Sequence, residues 1–120
     1  MNDNDPRKPY DLEDRTFEFA KASRDFGKRL GKTIVNIDDI KQLVRASGSI
    51  GANYIEANEC LGKKDFLMKI KTCRREAKET IYWLRLLQPE AHLEQQHREL
   101  LREASELMKI FGAIVRKSGG

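Results

Sequence analysis

The chain has little cysteine, little proline and no long apolar run: two cysteines and three prolines in 120 residues. Two thiols cannot build a disulfide framework, so Cys60 and Cys73 are read as small buried or half-buried thiols of a reducing compartment. No window approaches the ~20 consecutive apolar residues of a membrane span. The opening MNDNDPRKPY lacks the basic-then-apolar order of a signal peptide, and a cytoplasmic location is expected. There is no glycine loop for cradling phosphates, no Cys-x-x-Cys and no nucleophile with a base at a readable spacing. Glu94-x-x-His97 is half of a di-iron bundle motif, but that chemistry needs a second Glu-x-x-His and facing glutamates, and Pro89 stands three residues before His92. His97 falls on an apolar seam and is read as a hydrogen-bonded core or boundary residue. The chain is expected to be non-enzymatic, with no metal and no cofactor.

What the chain does have is helical periodicity. At this length one domain buries roughly two thirds of its unfolded surface, which is enough to fold without a metal or a crosslink. Residues 1–11 read as a flexible arm, 12–117 as the domain and 118–120 as a flexible tail. Phe19, Ser23, Phe26 and Leu30 line one face of a first helix from about Asp11, with Gly31 as its stop. Asn36 followed by Asp39 looks like the cap of a second helix, on which Ile40, Leu43, Ser47, Ile50, Gly51 and Tyr54 face inward. Gly62 ends that helix or caps the next. The third helix uses Phe66, Ile70, Cys73, Ala77, Ile81, Leu84 and Leu87 before Pro89 stops it. A fourth carries Leu93, His97, Leu100, Leu101, Ala104, Leu107, Met108, Phe111, Ile114 and Val115. Four amphipathic helices with short links predict an all-α, antiparallel up-down four-helix bundle.

Charge is unevenly placed along those helices. Net charge is 0 over residues 1–31, −1 over 32–59, +5 over 60–88 and 0 over 89–120, giving the overall +4. Lys64, Lys71, Lys78 and Arg85 recur every seven residues, with Arg74, Arg75 and Tyr82 in the gaps. At ~100° per residue they form a stripe about 120° from the apolar seam, so one neighbour cannot cover both. Such a ribbon suits phosphates, engaged without reading sequence. The alternatives are a solvated face laced with Glu76 and Glu79, or a surface for an acidic protein partner.

Helix two holds a polar and small stripe, Arg45, Ser49, Ala52, Asn53 and Glu56, and small residues crowd positions 47–52. Glycine inside a helix costs about 1 kcal/mol relative to alanine, so a packing reason is expected, either a tight intramolecular crossing or a subunit contact. Trp83 and Leu86 fall off the seam of helix three, and a lone bundle would leave them exposed, which points to self-association. Arg45, Ser49, Asn53, Glu56, Tyr82 and Trp83 are the candidate oligomer interface.

The run RASGSIGANYIEA (Arg45 to Ala57), then KKDF (Lys63 to Phe66) and CRREAKETIYWLRLL (Cys73 to Leu87), resembles the four-helix-bundle family of 23S rRNA-intervening-sequence proteins. The matching positions are Arg45, Ser49, Ile50, Asn53, Glu56, Lys64, Asp65, Phe66, Glu79, Thr80, Tyr82, Trp83 and Leu84, and Gly62 departs from the serine common there. The resemblance implies a bundle and, through similarity to the accessory protein of diversity-generating retroelements, a basic homopentamer that presents its helices to RNA or DNA. The expected function is therefore oligomeric, non-enzymatic binding of nucleic acid, structured RNA first, through Lys64, Lys71, Arg74, Arg75, Lys78 and Arg85. The competing expectation is a protein-interaction scaffold with no nucleic-acid role.

Overall fold

The computed structural model describes residues 11–119; positions 1–10, most of the expected arm, and 120 lie outside the described residues. The described residues form four α-helices: α1 (Leu12–Arg29), α2 (Ile34–Asn58), α3 (Lys63–Leu86) and α4 (Glu94–Lys117), the last preceded by a short 3-10 turn at Ala91–Leu93. They pack as a four-helix bundle. The start of α1 meets the end of α2, where Asn58 donates to Glu13, and the end of α1 meets the start of α2, where Gly27 faces Ile40. In the same way His97 near the start of α4 reaches Leu84 near the end of α3, while Arg15 and Arg29 of α1 reach Glu103 and Gln96 of α4. Neighbouring helices thus run in opposite directions, as links of a few residues require.

The expected seams form the core. Phe26, Leu43, Ile50, Ile70, Leu84, Leu93, Leu107 and Phe111 are fully buried, and Phe66 and Ile81 are half-buried against them. The Phe26 ring stacks on His97 and Tyr54 packs on Phe111, each with centroids 5.7 Å apart. Burying a Leu, Ile or Phe side chain is worth about 1.5–3 kcal/mol each, so this layer carries the fold. Thr16 and Thr80 sit wholly inside because their hydroxyls return to carbonyls of their own helices, Leu12 at 2.9 Å and Glu76 at 2.8 Å.

Asp11, where the first helix is expected to begin, is the N-cap of α1, its carboxylate accepting from the amides of Glu13 and Asp14. Helix boundaries differ from two other expectations. The cap of α2 is Thr33 instead of Asn36. Thr33 Oγ1 accepts from the Asn36 amide at 3.1 Å, and the Asn36 side chain donates backwards to the Gly31 carbonyl at 3.0 Å. Gly31 does not stop α1 by a left-handed turn: Leu30 leaves the helix extended, and the Lys32 ammonium covers the final carbonyls of Gly27, Lys28 and Leu30. Gly31 instead gives its amide to Glu90 at 3.2 Å, tying the two turns at one end of the bundle. At the other end of the chain α4 closes through Ser118 and Gly119, the latter at φ +80°.

Small residues on α2 serve an intramolecular crossing. A Cβ at Gly51 would lie 2.8 Å from Thr16 Oγ1 of α1, and one at Gly48 would lie 3.3 Å from the Arg24 guanidinium. Ala52 remains exposed.

Candidate nucleic-acid interface

The α3 seam points at α2 and α4, which leaves the opposite side of α3 to solvent. Gly62 caps α3 without a side chain, and Asp65 in the first turn complements the helix dipole. Lys64, Lys71, Arg74, Arg75, Lys78 and Arg85 are all exposed. None of the six is in an ion pair among the described residues.

The acids that could lace this face are drawn elsewhere. Arg45 reaches across from α2 to both of them, with Nη2 at 2.9 Å from Glu79 and Nη1 at 3.5 Å from Glu76. Glu76 is 7% exposed, so its charge is sealed between α2 and α3. Two to three turns along the same seam Glu56 holds Lys69 at 2.6 Å, and this carboxylate raises the Lys69 ammonium above its ordinary range. The α2–α3 seam therefore takes up one α3 cation and two α3 acids. What is left outside is a depression lined by Lys71, Arg74, Arg75, Lys78, Glu79 and Tyr82. Its single acid is already bonded to Arg45.

The candidate oligomer residues are less uniform. Arg45 and Glu56 are engaged within the chain as above. The Ser49 hydroxyl donates to the Arg45 carbonyl and the Asn53 amide to the Ser49 carbonyl, both at 2.8 Å, so these side chains bond along α2 itself. Tyr82 is 55% exposed on the floor of the basic depression. Trp83 departs from expectation: it is half-buried against the core, because its large ring turns inward along the flank of α3, edge-on to Tyr82 at 5.1 Å. Leu86 is exposed as expected. Several apolar side chains that periodicity did not single out are also bare, notably Ile34 and Val35 at the start of α2 and Leu61 and Met68 around the α2–α3 turn. Starting α2 at Ile34 instead of beyond Asn36 is what puts the first two on a helix facing water.

Among the described residues no three His, Cys, Asp or Glu side chains converge as metal ligands would. His97 Nε2 lies 2.6 Å from the Leu84 carbonyl, while Glu94 faces Arg98 on the surface. Burial pushes the Cys73 thiol up to about 12, and Cys60 donates weakly to the Glu56 carbonyl. Among the described residues no helix is long and apolar enough to cross a membrane.

The family model for the 23S rRNA-intervening sequence protein matches residues 11–113. Among solved structures, the chain is similar to a protein of unknown function from the S23 ribosomal protein family of Bacteroides thetaiotaomicron. The two share 27% identity and a TM-score of 0.72 over 87% of this chain and 97% of that one. No curated protein matches.

Proposed function

The chain belongs to the 23S rRNA-intervening sequence protein family, and from that premise we propose that it is a non-enzymatic, cytoplasmic protein that binds nucleic acid, structured RNA first, through the outer face of α3. One observation carries the reading: six cations stand exposed and, among the described residues, unpaired on this face, while Glu76 and Glu79 of the same helix are held by Arg45. Cations spaced along a helix engage a phosphate backbone by releasing its counterions, which requires neither a base-reading side chain nor a fixed sequence. Tyr82, between Lys78 and Arg85, adds a flat apolar surface against which an unpaired base can lie. The protein acts as an oligomer in this reading, a pentamer by the family resemblance, and exposed Ile34, Leu61 and Met68 supply apolar surface for copies to cover.

The test is affinity for a structured 23S rRNA fragment across a salt series, for the wild type and for the combined Lys71→Ala, Arg75→Ala, Lys78→Ala, Arg85→Ala variant. Each phosphate contact contributes about 0.9 to the log-log salt slope on a duplex, so the variant should lose about 3–4 from it. Particle mass by light scattering, run on the same samples, should correspond to five chains. Absence of binding by the wild type at low salt refutes the reading; an acidic protein captured by the same residues would then put the scaffold function in its place.

A further inference from the structure

Arg74 leaves the ridge sideways, over α4. Gly112 is buried in α4 at the point where α3 crosses it, and a Cβ there would lie 3.5 Å from Arg74 Nε and 3.5 Å from Arg116 Nη1. The two guanidinium nitrogens are therefore within twice that distance, about 7 Å, of each other. Among the described residues neither guanidinium has a carboxylate or any other hydrogen-bond partner. Two like charges brought together from different helices, with no acid between them, are an arrangement completed by an anion.

One phosphate can bridge nitrogens that lie within this bound, with an oxygen accepting at about 2.8 Å from each side, and guanidinium groups are the side chains best matched to it. Glycine at 112 keeps the gap open, since a longer side chain would project between the two guanidiniums. Lys71, Arg75 and Lys78 line the depression that Arg74 also borders, so Arg74 is shared between the depression and the α3–α4 crossing.

We infer that Arg74 and Arg116 form a clamp for one backbone phosphate at the α3–α4 crossing, which carries the bound strand from α3 onto the end of α4. The clamp rests on the nucleic-acid reading and adds to it a second helix, a defined phosphate position and a residue, Arg116, outside the α3 stripe. Because both side chains would hold the same phosphate, their losses should not add.

The experiment measures binding of a short RNA hairpin across a salt series by the full chain and by Arg74→Gln, Arg116→Gln, the double variant and Arg102→Gln, an exposed α4 cation away from the gap. Thermal melting checks that each variant is folded. Arg116→Gln should lower the salt slope by about 1 and weaken binding about 5–10-fold at 0.1 M salt. Arg74→Gln should do the same, the double variant should lose little more than either, and Arg102→Gln should change little. Equal losses from Arg116→Gln and Arg102→Gln, or additive losses in the double variant, would overturn the clamp and leave only diffuse attraction. Binding that falls with the α3 quadruple variant but not with Arg116→Gln overturns the clamp alone. A wild type that does not bind overturns both.

Discussion

Replacing Gly51 by alanine tests whether the α1–α2 crossing is set by contact or by helix propensity. Propensity alone favours alanine by about 1 kcal/mol in a helix interior. Contact opposes it: the new methyl would stand 2.8 Å from Thr16 Oγ1 and 3.1 Å from Thr16 Cβ, with the Thr16 backbone 3.7 Å away. Thr16 cannot swing aside cheaply. It is fully buried, β-branched and therefore stiff, and its hydroxyl lies 2.9 Å and 3.0 Å from the carbonyls of Leu12 and Glu13. Relief requires α1 to recede from α2 as a unit, and overpacking of this kind costs about 1–3 kcal/mol. The expected net effect lies between neutral and a loss of about 2 kcal/mol, or up to about 8 °C in Tm for a chain of this size. Gly112→Ala is the internal standard, since its nearest neighbours are flexible arginine ends at 3.5 Å, an ordinary contact, and it should gain about 0.5–1 kcal/mol. A urea-unfolding cycle at constant protein concentration, with Thr16→Ala as the second substitution, should show at least about 1 kcal/mol of coupling, because that change removes the closest atom. If Gly51→Ala stabilises as much as Gly112→Ala, or if the cycle is additive within about 0.5 kcal/mol, the crossing is not contact-limited and the reasoning fails.

Two further predictions concern buried chemistry. Arg45→Ala strips the nearly buried Glu76 of its counter-charge and should cost about 1–2 kcal/mol in urea unfolding, discounted because Arg45 itself is half exposed; it should also free Glu79 into the basic depression and weaken RNA binding, whereas unchanged binding would show that Arg45 does not keep the ridge cationic. Cys73, with its thiol pushed from 9.0 to about 12 by burial, should resist thiol reagents at pH 8 in the folded protein while Cys60 reacts. Its folded value lies above its unfolded one, so the stability it confers is complete below pH 9 and is lost as pH rises from 9 towards 12. Urea midpoints at pH 8 and 10.5 should converge in Cys73→Ala relative to wild type, and an unchanged gap would rule out this thiol as a source of the pH dependence.

Much of this molecule follows from periodicity. The order of helices, their inward faces and the exposed lysine and arginine stripe on α3 are consequences of apolar residues recurring every three or four positions, a property local enough to read along the chain. Boundaries were less legible, because Thr33 and Asn36 are both good caps three residues apart. Only the packing of Lys32 and Asn36 back onto the end of α1 selects between them.

The partners of charges lay beyond the sequence for a related reason. Glu79 has Arg75 one turn before it on α3, but a cation preceding an acid is the weaker order on a helix, and Arg45 arrives from α2 at 2.9 Å to take it. Glu76 and Arg45 are likewise distant in sequence and adjacent only once two seams are buried. The inward turn of Trp83 and the meeting of Arg74 with Arg116 over Gly112 are of the same kind. The amino-acid sequence by itself determined which faces are apolar and where positive charge accumulates, since both depend on spacing within one helix. Tertiary structure alone decided which of those charges are neutralised and which stay free, since that depends on what the neighbouring helix brings within about 4 Å.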